Sequence, residues 1–222
     1  MDQQFWKQYT KVYDWCVSNL PGHQAMVQMH IDALQNAHKV LDSGSGPGYV
    51  ALKLLEKDHE VHAIDINPEA LRLLRERSGS APKLFTYNQD VKNLPFNDNT
   101  FDGVSSGLVL WAMENPRAYL VEHNRVLRPR GTLVVSGPSL EVSANLEGYL
   151  DKTKQDLVRA GVFSQEKWDQ LSQYVGRVAR EPKEFSREEI SNLLTSTGFE
   201  VVSVQGNPHY YGEGYVAVGR KI

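Results

Sequence analysis

Short apolar runs alternate along the chain with segments in which apolar residues recur at helical spacing. The runs at residues 39–42, 61–64, 83–87, 101–105, 131–136, 199–205 and 215–220 predict strands. Helical segments separate many of them, at residues 50–55, from Pro68 onward, and at residues 116–127 and 187–197. Such alternation is typical of a parallel sheet that carries helices on both faces. We therefore expect an α/β fold with a Rossmann-like, seven-stranded, mostly parallel sheet.

Two further stretches, residues 2–35 and 140–183, carry helical patterns without strands. The first contains Phe5, Tyr9 and Val12 at helical spacing, and the Pro-Gly pair at residues 21 and 22 divides it into two predicted helices. A length of 222 residues fits one domain. We expect that domain to have four parts: a helical arm (residues 1–36), a core (37–138), a helical insertion (139–185) and a C-terminal helix with strands (186–222).

A glycine-rich loop follows the first predicted strand. Gly44, Gly46 and Gly48 alternate with other residues there, and glycine lets a ligand approach the main chain closely. Asp42 lies at the strand end, where it can reach a ligand over the loop. Asp65 ends the second strand about twenty residues after the loop, where an acid can accept hydrogen bonds from both hydroxyls of a ribose. These features predict a ligand that contains a nucleoside.

The spacing of the loop differs from that of a dinucleotide site. The G-x-G-x-x-G pattern fits a pyrophosphate against a helix N-terminus, but here Gly48 comes one position early. Pro47 also removes an N–H donor that an anion would use. A ligand without a phosphate suits the loop better, so a nicotinamide-dependent oxidoreductase is a less favoured reading of the same loop.

Five motifs in order resemble those of the class I S-adenosylmethionine-dependent methyltransferases, close to the ubiquinone/menaquinone-biosynthesis (methyltransferase 11) type. They are LDSGSGPG at residues 41–48, Asp65, QDVKNLPF at 89–96, FDGVSS at 101–106 and EHNRVLRPRG at 122–131. The resembling block covers residues 40–136, and the C-terminal strands also fit. Arg130 departs from the pattern, since the family usually has glycine there.

The resemblance implies S-adenosylmethionine as cofactor, S-adenosylhomocysteine as product and no metal. It implies that Asp65 holds the ribose, that Asp90 and Val91 frame the adenine, and that the backbone near Gly44 and Ser106 holds the methionyl group. Purely structural roles are also possible, since Asp42 could cap the turn and Asp90 could begin one. The predicted cofactor-binding residues are Tyr13 (like an arm tyrosine that closes on the cofactor in relatives), Asp42, Gly44, Gly46, Gly48, Asp65, Ile66, Asp90, Val91 and Ser106.

The missing motifs indicate a small-molecule acceptor with an oxygen, nitrogen, sulfur or carbon nucleophile. Residues 105–111 contain no Asn/Asp-Pro-Pro-aromatic motif of the kind carried by methyltransferases of exocyclic or amide nitrogens. Cys16 is the single cysteine, which rules out an internal disulfide and disfavours a cysteine nucleophile. A net charge of −3 does not favour a nucleic acid. The sequence is also compatible with an RNA or protein methyltransferase and with a non-catalytic binding module.

Aromatic residues outside the core suggest where the acceptor binds. Trp111, Tyr210 and Tyr211 are predicted substrate-binding residues. Our hypothesis is that the arm acts as a lid and the insertion as a cap over an apolar or aromatic acceptor, while the core binds the cofactor. His209 is the favoured general base, because its loop should face the site. Three other histidines are expected at the surface: His38, His59 and His123.

The chain shows neither a run of about 18 apolar residues nor a signal-peptide pattern at its start. We therefore expect a cytoplasmic protein without a membrane partner, either a monomer or a homodimer.

Overall fold

Seven strands form one sheet at the centre of the molecule, for which a computed structural model describes residues 3–79, 81–178 and 184–222. The strands are β1 (Lys39–Ser43), β2 (Glu60–Asp65), β3 (Leu84–Asn88), β4 (Phe101–Gly107), β5 (Leu127–Gly137), β6 (Phe199–Gln205) and β7 (Tyr215–Lys221). Their order across the sheet is β3-β2-β1-β4-β5-β7-β6. Strands β1 to β5 run parallel, whereas β7 runs antiparallel to both β5 and β6. The predicted α/β fold is confirmed.

Helices precede the sheet, cover its faces and fill the insertion. They are α1 (Gln3–Val17), α2 (Pro21–Ala33), α3 (Tyr49–Glu56), α4 (Pro68–Ser78), α5 (Pro116–Val126), α6 (Leu140–Ala144), α7 (Leu146–Arg159), α8 (Gln165–Val178) and α9 (Arg187–Ser196). Short 3₁₀ turns lie at Leu110–Ala112 and Pro208–Tyr210. None of the helices in the described ranges is both long enough and apolar enough to cross a membrane.

Proline begins three of these helices. Pro68 starts α4, as the sequence predicts, and Pro21 starts α2 instead of lying between two helices. Proline is well suited to this position because its missing N–H would have no partner inside the helix. The side chain of Asn67 accepts a hydrogen bond from an N–H in the first turn of α4, and Asn115 does the same for α5. Local sequence therefore determines where these helices start.

Apolar side chains leave the central strands alternately toward the two faces of the sheet. Leu41 and Ile64 join a core covered by α5 and α9. Val40 and Val61 join a second core, covered by α2, α3 and α4. Because helices cover both faces, these strands read in the sequence as continuous apolar runs.

The arm and the insertion pack against each other. Val12 and Cys16 of α1 meet Leu157 of α7 and Trp168 and Leu171 of α8 in a third buried cluster. The insertion contains helices and no strand in its described part, as its pattern predicts. Trp168 therefore has a packing role within this helical unit.

Two histidines expected at the surface are buried. His123 lies one turn after Tyr119 on the face of α5 that meets the sheet, and its side chain has no solvent exposure. His59 lies in the turn before β2 and places Nδ1 2.5 Å from the carbonyl of Ala37. The prediction that both lie at the surface was wrong, because each ring has a backbone carbonyl as a buried partner. The partner of His123 is Tyr119, and that of His59 is Ala37. His38 is exposed, as expected.

The strand order creates the opening in which a ligand can bind. β1 has β2 on one side and β4 on the other, so the chain leaves β1 in one direction and leaves β4 in the opposite one. In sheets of this kind, ligands bind in the crevice outside the carboxyl ends of the strands at this switch point. The loops after β1, β2, β3 and β4 all lie at that edge.

Candidate active site

One cavity of about 350 Å³ opens at the carboxyl edge of the sheet. The loop half of its wall comes from the strand ends and loops, within residues 44–47, 65–67, 90–92 and 107–114. The helical half comes from the arm, the insertion and the turn before β7, within residues 6–17, 138–153 and 171–175, with Glu184, His209 and Tyr210. The predicted cofactor core and the predicted acceptor cap thus face a shared space.

Gly44 and Gly48 are required for different reasons. Both have positive φ, +73° and +92°. A side chain at Gly44 would collide with Val109, which also lines the cavity. A side chain at Gly48 would collide with Leu74 of α4, and Gly48 does not belong to the cavity wall. Gly44 therefore lets Val109 pack closely against the loop at the cavity wall, whereas Gly48, a predicted cofactor-binding residue, lets α3 pack against α4.

Asp65 is fixed at the cavity wall by two backbone donors. Gly46 N–H donates to Oδ2 at 2.8 Å, and Asn67 N–H donates to Oδ1 at 2.8 Å. Burial raises the pKa of Asp65, and these two hydrogen bonds oppose that shift. Each carboxylate oxygen keeps a lone pair for a further donor. The arrangement can accept two hydroxyl groups from one ligand.

Asp42 lies beneath the glycine loop, away from the cavity wall. Its side chain is 2% exposed and accepts a hydrogen bond from Ala51 N–H in the first turn of α3 at 3.1 Å. Burial raises the pKa of Asp42 to about 7. Asp42 does not line the cavity, and its contact with Ala51 matches the capping role that the sequence also allowed.

The segment after β3 presents both polar and apolar groups to the cavity. The side chain of Asp90 accepts a hydrogen bond from Lys92 N–H at 3.0 Å. A hydrogen bond to the backbone two residues later is typical of an aspartate that begins a turn. Asp90 nevertheless lines the cavity, together with Val91 and, across from them, Ile66 after β2. Two apolar side chains and one carboxylate can frame a flat heterocycle that carries an amino group.

Ser106 points away from the cavity. Its hydroxyl oxygen lies 2.7 Å from the hydroxyl of Tyr119, and the residue has no solvent exposure. Gly107, Leu108 and Val109 form the wall at the end of β4 instead. The side chain of Ser106 faces the other side of the strand, because successive side chains of a strand point to opposite faces. The prediction concerns the backbone near Ser106, which lies at the same strand end.

A buried polar network supports the ends of β1 and β4. Burial lowers the pKa of His123 to about 4, so the ring is neutral. His123 Nδ1 lies 2.6 Å from the Tyr119 carbonyl and must carry the hydrogen, which leaves Nε2 to accept from Ser43, 2.8 Å away. The hydroxyl of Tyr119 then donates to Ser43 and accepts from Ser106. Sequence reasoning missed this network, although its members lie in the matched motifs or just before them.

The arm is held against the core by polar contacts. Asp14 accepts hydrogen bonds from Tyr49 Oη at 2.7 Å and from both terminal nitrogens of Arg77 at 2.9 and 2.7 Å. Asn67 Nδ2 donates to the carbonyl of Trp6 at 3.1 Å and to Thr10 Oγ1 at 2.8 Å. These contacts place α1 over the loops that follow β1 and β2. Sequence reasoning predicted an arm but not these partners.

Tyr13 and Trp111 both line the cavity. Tyr13 stacks on Tyr9 with ring centroids 5.1 Å apart. Trp111 donates its indole N–H to the carbonyl of Leu108 at 2.8 Å, which ties its ring to the loop after β4. Both residues therefore lie where the sequence placed them relative to the cavity.

The side chains of Tyr210 and Tyr211 point in different directions at the turn before β7. Tyr210 lines the cavity. Tyr211 has a positive φ of +55°, which turns its side chain outward, and its hydroxyl donates to Asp156 of α7 at 2.9 Å. Tyr211 is outside the wall of the cavity and helps to hold the turn on the insertion.

His209 lines the helical half as a neutral ring. Burial lowers its pKa well below the ordinary value. Nε2 lies 3.4 Å from the Tyr149 hydroxyl, and Nδ1 is buried without a hydrogen-bond partner among the described residues. The ring of His23 lies 5.1 Å away, and both of its nitrogens are also buried without a partner in the described part of the chain. A neutral imidazole in this position can accept a proton from a bound molecule.

In the described ranges, no three His, Cys, Asp or Glu side chains lie close enough together to hold a metal ion.

The sequence matches a known domain family and several characterised proteins. The methyltransferase domain family matches residues 41–135. The ubiquinone/menaquinone biosynthesis C-methyltransferase of Neisseria meningitidis is 30% identical over 193 residues, which cover 85% of this chain and 76% of that protein. A malonyl-[acyl-carrier protein] O-methyltransferase of Halorhodospira halophila is 35% identical over 113 residues, 50% of this chain and 38% of that protein. The chain spans less than half the length of three of the curated relatives that it matches.

A solved structure shares the fold. The 1,6-didemethyltoxoflavin N1-methyltransferase of Burkholderia thailandensis, crystallised with 1,6-didemethyltoxoflavin and S-adenosylhomocysteine, aligns with a TM-score of 0.65 at 22% identity. The alignment covers 92% of this chain and 80% of that one.

Proposed function

This chain belongs to the class I S-adenosylmethionine-dependent methyltransferases, and from that premise we propose that it transfers the methyl group of S-adenosylmethionine to a small-molecule acceptor. The resemblance predicted from the five motifs is confirmed. The observation that carries the proposal is the shared cavity, in which a loop half with acids and a glycine turn faces an aromatic helical half. An enclosed space of this kind suits a small acceptor better than a polymer.

Residues of the loop half fit the cofactor that the family uses. Gly44 has no side chain that would displace Val109 from the cavity wall, and the half-buried Asp65 keeps two acceptor positions free. We assign the ribose to Asp65, the adenine to Asp90 with Val91 and Ile66, and the methionyl end to the backbone near Gly44 and at the end of β4. When bound, S-adenosylmethionine supplies a methyl group already activated by a sulfonium.

The chain's own contribution is to hold the acceptor and exclude water. The arm and the insertion cover the cavity from the side opposite the sheet, and their apolar side chains shield the reacting atoms. We assign His209, which lines the cavity, to take a proton from an acceptor that must lose one. Its lowered pKa makes it a weak base, so this role requires an acceptor proton that becomes acidic as the methyl group is transferred.

The test uses S-adenosylmethionine with a labelled methyl group, purified protein and fractionated extract of the source cells. We expect label in a small-molecule fraction, whose mass then identifies the acceptor. Label in RNA or protein would overturn the substrate class and leave the chemistry intact. No label together with normal binding of S-adenosylhomocysteine would favour a binding module, and competition by NAD would favour an oxidoreductase.

A variant of Trp111 tests the division of the cavity. Trp111→Ala should weaken acceptor binding much more than binding of S-adenosylhomocysteine, because the indole faces the helical half. Titration calorimetry with each ligand measures the two effects separately. Equal losses for both ligands would contradict the assignment.

A further inference from the structure

Aromatic rings enclose the part of the cavity that lies beyond the cofactor loops. The rings of Tyr9 and Tyr13 in the arm stack with their centroids 5.1 Å apart. The ring centroid of Tyr149 in the insertion lies 5.3 Å from that of Tyr210 in the turn before β7. Trp6 and Trp111 close the side nearest the loop half, with ring centroids 6.2 Å apart. All six residues line the cavity. Electron-rich ring faces attract cations, most strongly when water is excluded.

A carboxylate that has no ion-pair partner among the described side chains lies in the same wall. The hydroxyl of Ser143 donates to Oε1 of Glu184, and Oε2 is buried with no donor among the described residues. Within the described part of the chain no lysine, arginine or histidine forms an ion pair with Glu184. Burial raises the pKa of Glu184, and the neighbouring charge of Glu141 adds to that shift. A cation in the cavity would relieve this unfavourable charge.

The charges described for the helical half are of one sign. Among the residues whose side chains are described (5–79, 81–175 and 184–222), no lysine or arginine lines that half, and His209 is neutral. Lys92 lines the loop half, where its ammonium lies 3.5 Å from Asp90. Close to Glu184 is the ring of Tyr210, whose pKa is raised in part by that carboxylate. A phenolate or carboxylate acceptor would therefore meet repulsion without a compensating cation.

We propose that the acceptor is an amine that binds as a cation, held by the aromatic rings and by the charge of Glu184. This inference rests on the proposed methyltransferase function and specifies its substrate class. It selects nitrogen among the four possible nucleophiles.

The reaction then balances without another reactant. The bound ammonium first gives a proton to water, and this loss frees the nitrogen lone pair. That pair forms the new N–C bond as the bond between methyl carbon and sulfur breaks, and the electrons of the broken bond stay on sulfur. The methylated amine leaves as an ammonium, and the donor leaves as the neutral sulfide S-adenosylhomocysteine.

The test compares a cation with its uncharged isostere. The probes are choline and 3,3-dimethylbutan-1-ol, titrated by calorimetry into protein saturated with S-adenosylhomocysteine. We expect choline to bind about tenfold more tightly than the isostere. Glu184→Gln should remove most of this preference and leave the affinities for S-adenosylhomocysteine and for the isostere unchanged. Glu147→Gln, an exposed change on α7, is the matched control and should alter none of the three affinities.

The outcomes separate this inference from the function on which it rests. Equal binding of both probes, tighter binding of the isostere, or no binding of either would overturn the amine proposal if S-adenosylhomocysteine binds normally. A preference for choline that survives Glu184→Gln would overturn the role of the carboxylate. Failure of the wild-type protein to bind S-adenosylhomocysteine would instead overturn the methyltransferase function, and the amine proposal with it.

Discussion

At the scale of single residues, Gly44 and Gly46 should respond differently to the same substitution. Gly44→Ala brings a methyl group onto Val109, whereas Gly46→Ala meets nothing nearby and costs only the backbone strain of φ +53°, about 1 kcal/mol. We expect Gly44→Ala to lose most of its affinity for S-adenosylhomocysteine and Gly46→Ala to lose less than about tenfold. Titration calorimetry measures both. A greater loss of affinity in Gly46→Ala than in Gly44→Ala would contradict the importance of the collision with Val109.

Buried histidines should make the protein sensitive to acid. Burial lowers the pKa of His30 to about 3 and those of His23 and His123 to about 4, below the ordinary value near 6.5. Between those values the unfolded chain binds protons that the folded chain does not. The stabilising contribution is therefore complete above about pH 6.5 and falls by about 1.4 kcal/mol per pH unit for each histidine as the pH drops toward 4.

Urea unfolding at pH 7 and pH 5 measures this dependence. His30→Gln should reduce the difference in unfolding free energy between the two pH values, and His38→Gln, at an exposed position, should leave it unchanged. Asp42 acts in the opposite direction, because its raised pKa of about 7 makes its contribution decrease as the pH rises from about 4 to 7. A wild-type protein equally stable at both pH values would contradict the dominance of the histidines.

Sequence could predict the residues whose roles depend on local backbone. The glycine turn at Gly44 and the strand-end position of Asp65 follow from a few neighbouring residues, and the structure places both at the cavity. The outward turn of Tyr211 and the burial of His123 depend on how the turn before β7 and helix α5 pack against distant segments. The buried contact between Ser106 and Tyr119 likewise depends on which face of β4 the side chain takes, because side chains alternate along a strand.

At the scale of elements, the contacts of Asp14 should control how the arm opens. Asp14→Asn leaves the arm's apolar packing intact but weakens the paired hydrogen bonds from Arg77. Hydrogen bonds to charged groups contribute about 1.5–3 kcal/mol when shielded, and these side chains are partly exposed, so we expect release of S-adenosylhomocysteine to accelerate by about tenfold. Stopped-flow fluorescence measures the release rate.

Arg72→Ala provides the control for this experiment. Arg72 lies on the same helix as Arg77 but pairs with Glu69 and Glu76 at the surface. Its loss should leave the release rate unchanged. An unaltered rate in Asp14→Asn, with a normal melting temperature, would show that Asp14 does not limit opening of the arm.

The pattern of elements was more predictable than their contacts. Strand periodicity located the strands, and Pro68 and Pro116 located the starts of α4 and α5, because these signals depend on short segments of chain. The packing of α1 on α7 and α8 joins residues more than a hundred positions apart and has no local signal. The arm and insertion were therefore predicted as helical, while the cluster that unites them was not.

At the scale of the whole molecule, the cofactor product should stabilise the folded state through the loop half. A ligand at a hundred times its dissociation constant adds about 2.7 kcal/mol, which corresponds to a rise in melting temperature of about 5–10 °C for a domain of this size. Asp65→Ala should abolish most of this rise and leave the ligand-free melting temperature within a few degrees of the wild type. A full rise in Asp65→Ala would show that the ligand binds elsewhere. Scanning fluorimetry with S-adenosylhomocysteine measures both shifts.

The position of β7 has a consequence for the order in which the chain can complete its fold during synthesis. β7 is the last of the seven strands in sequence order, yet it lies between β5 and β6 and forms hydrogen bonds with both. A nascent chain that ends before residue 215 contains the whole loop half but cannot attach β6, since β6 pairs with β7 alone. The seven-stranded sheet is therefore complete only after β7 has been synthesised. A truncation before residue 215 would remove an interior strand rather than trim an edge.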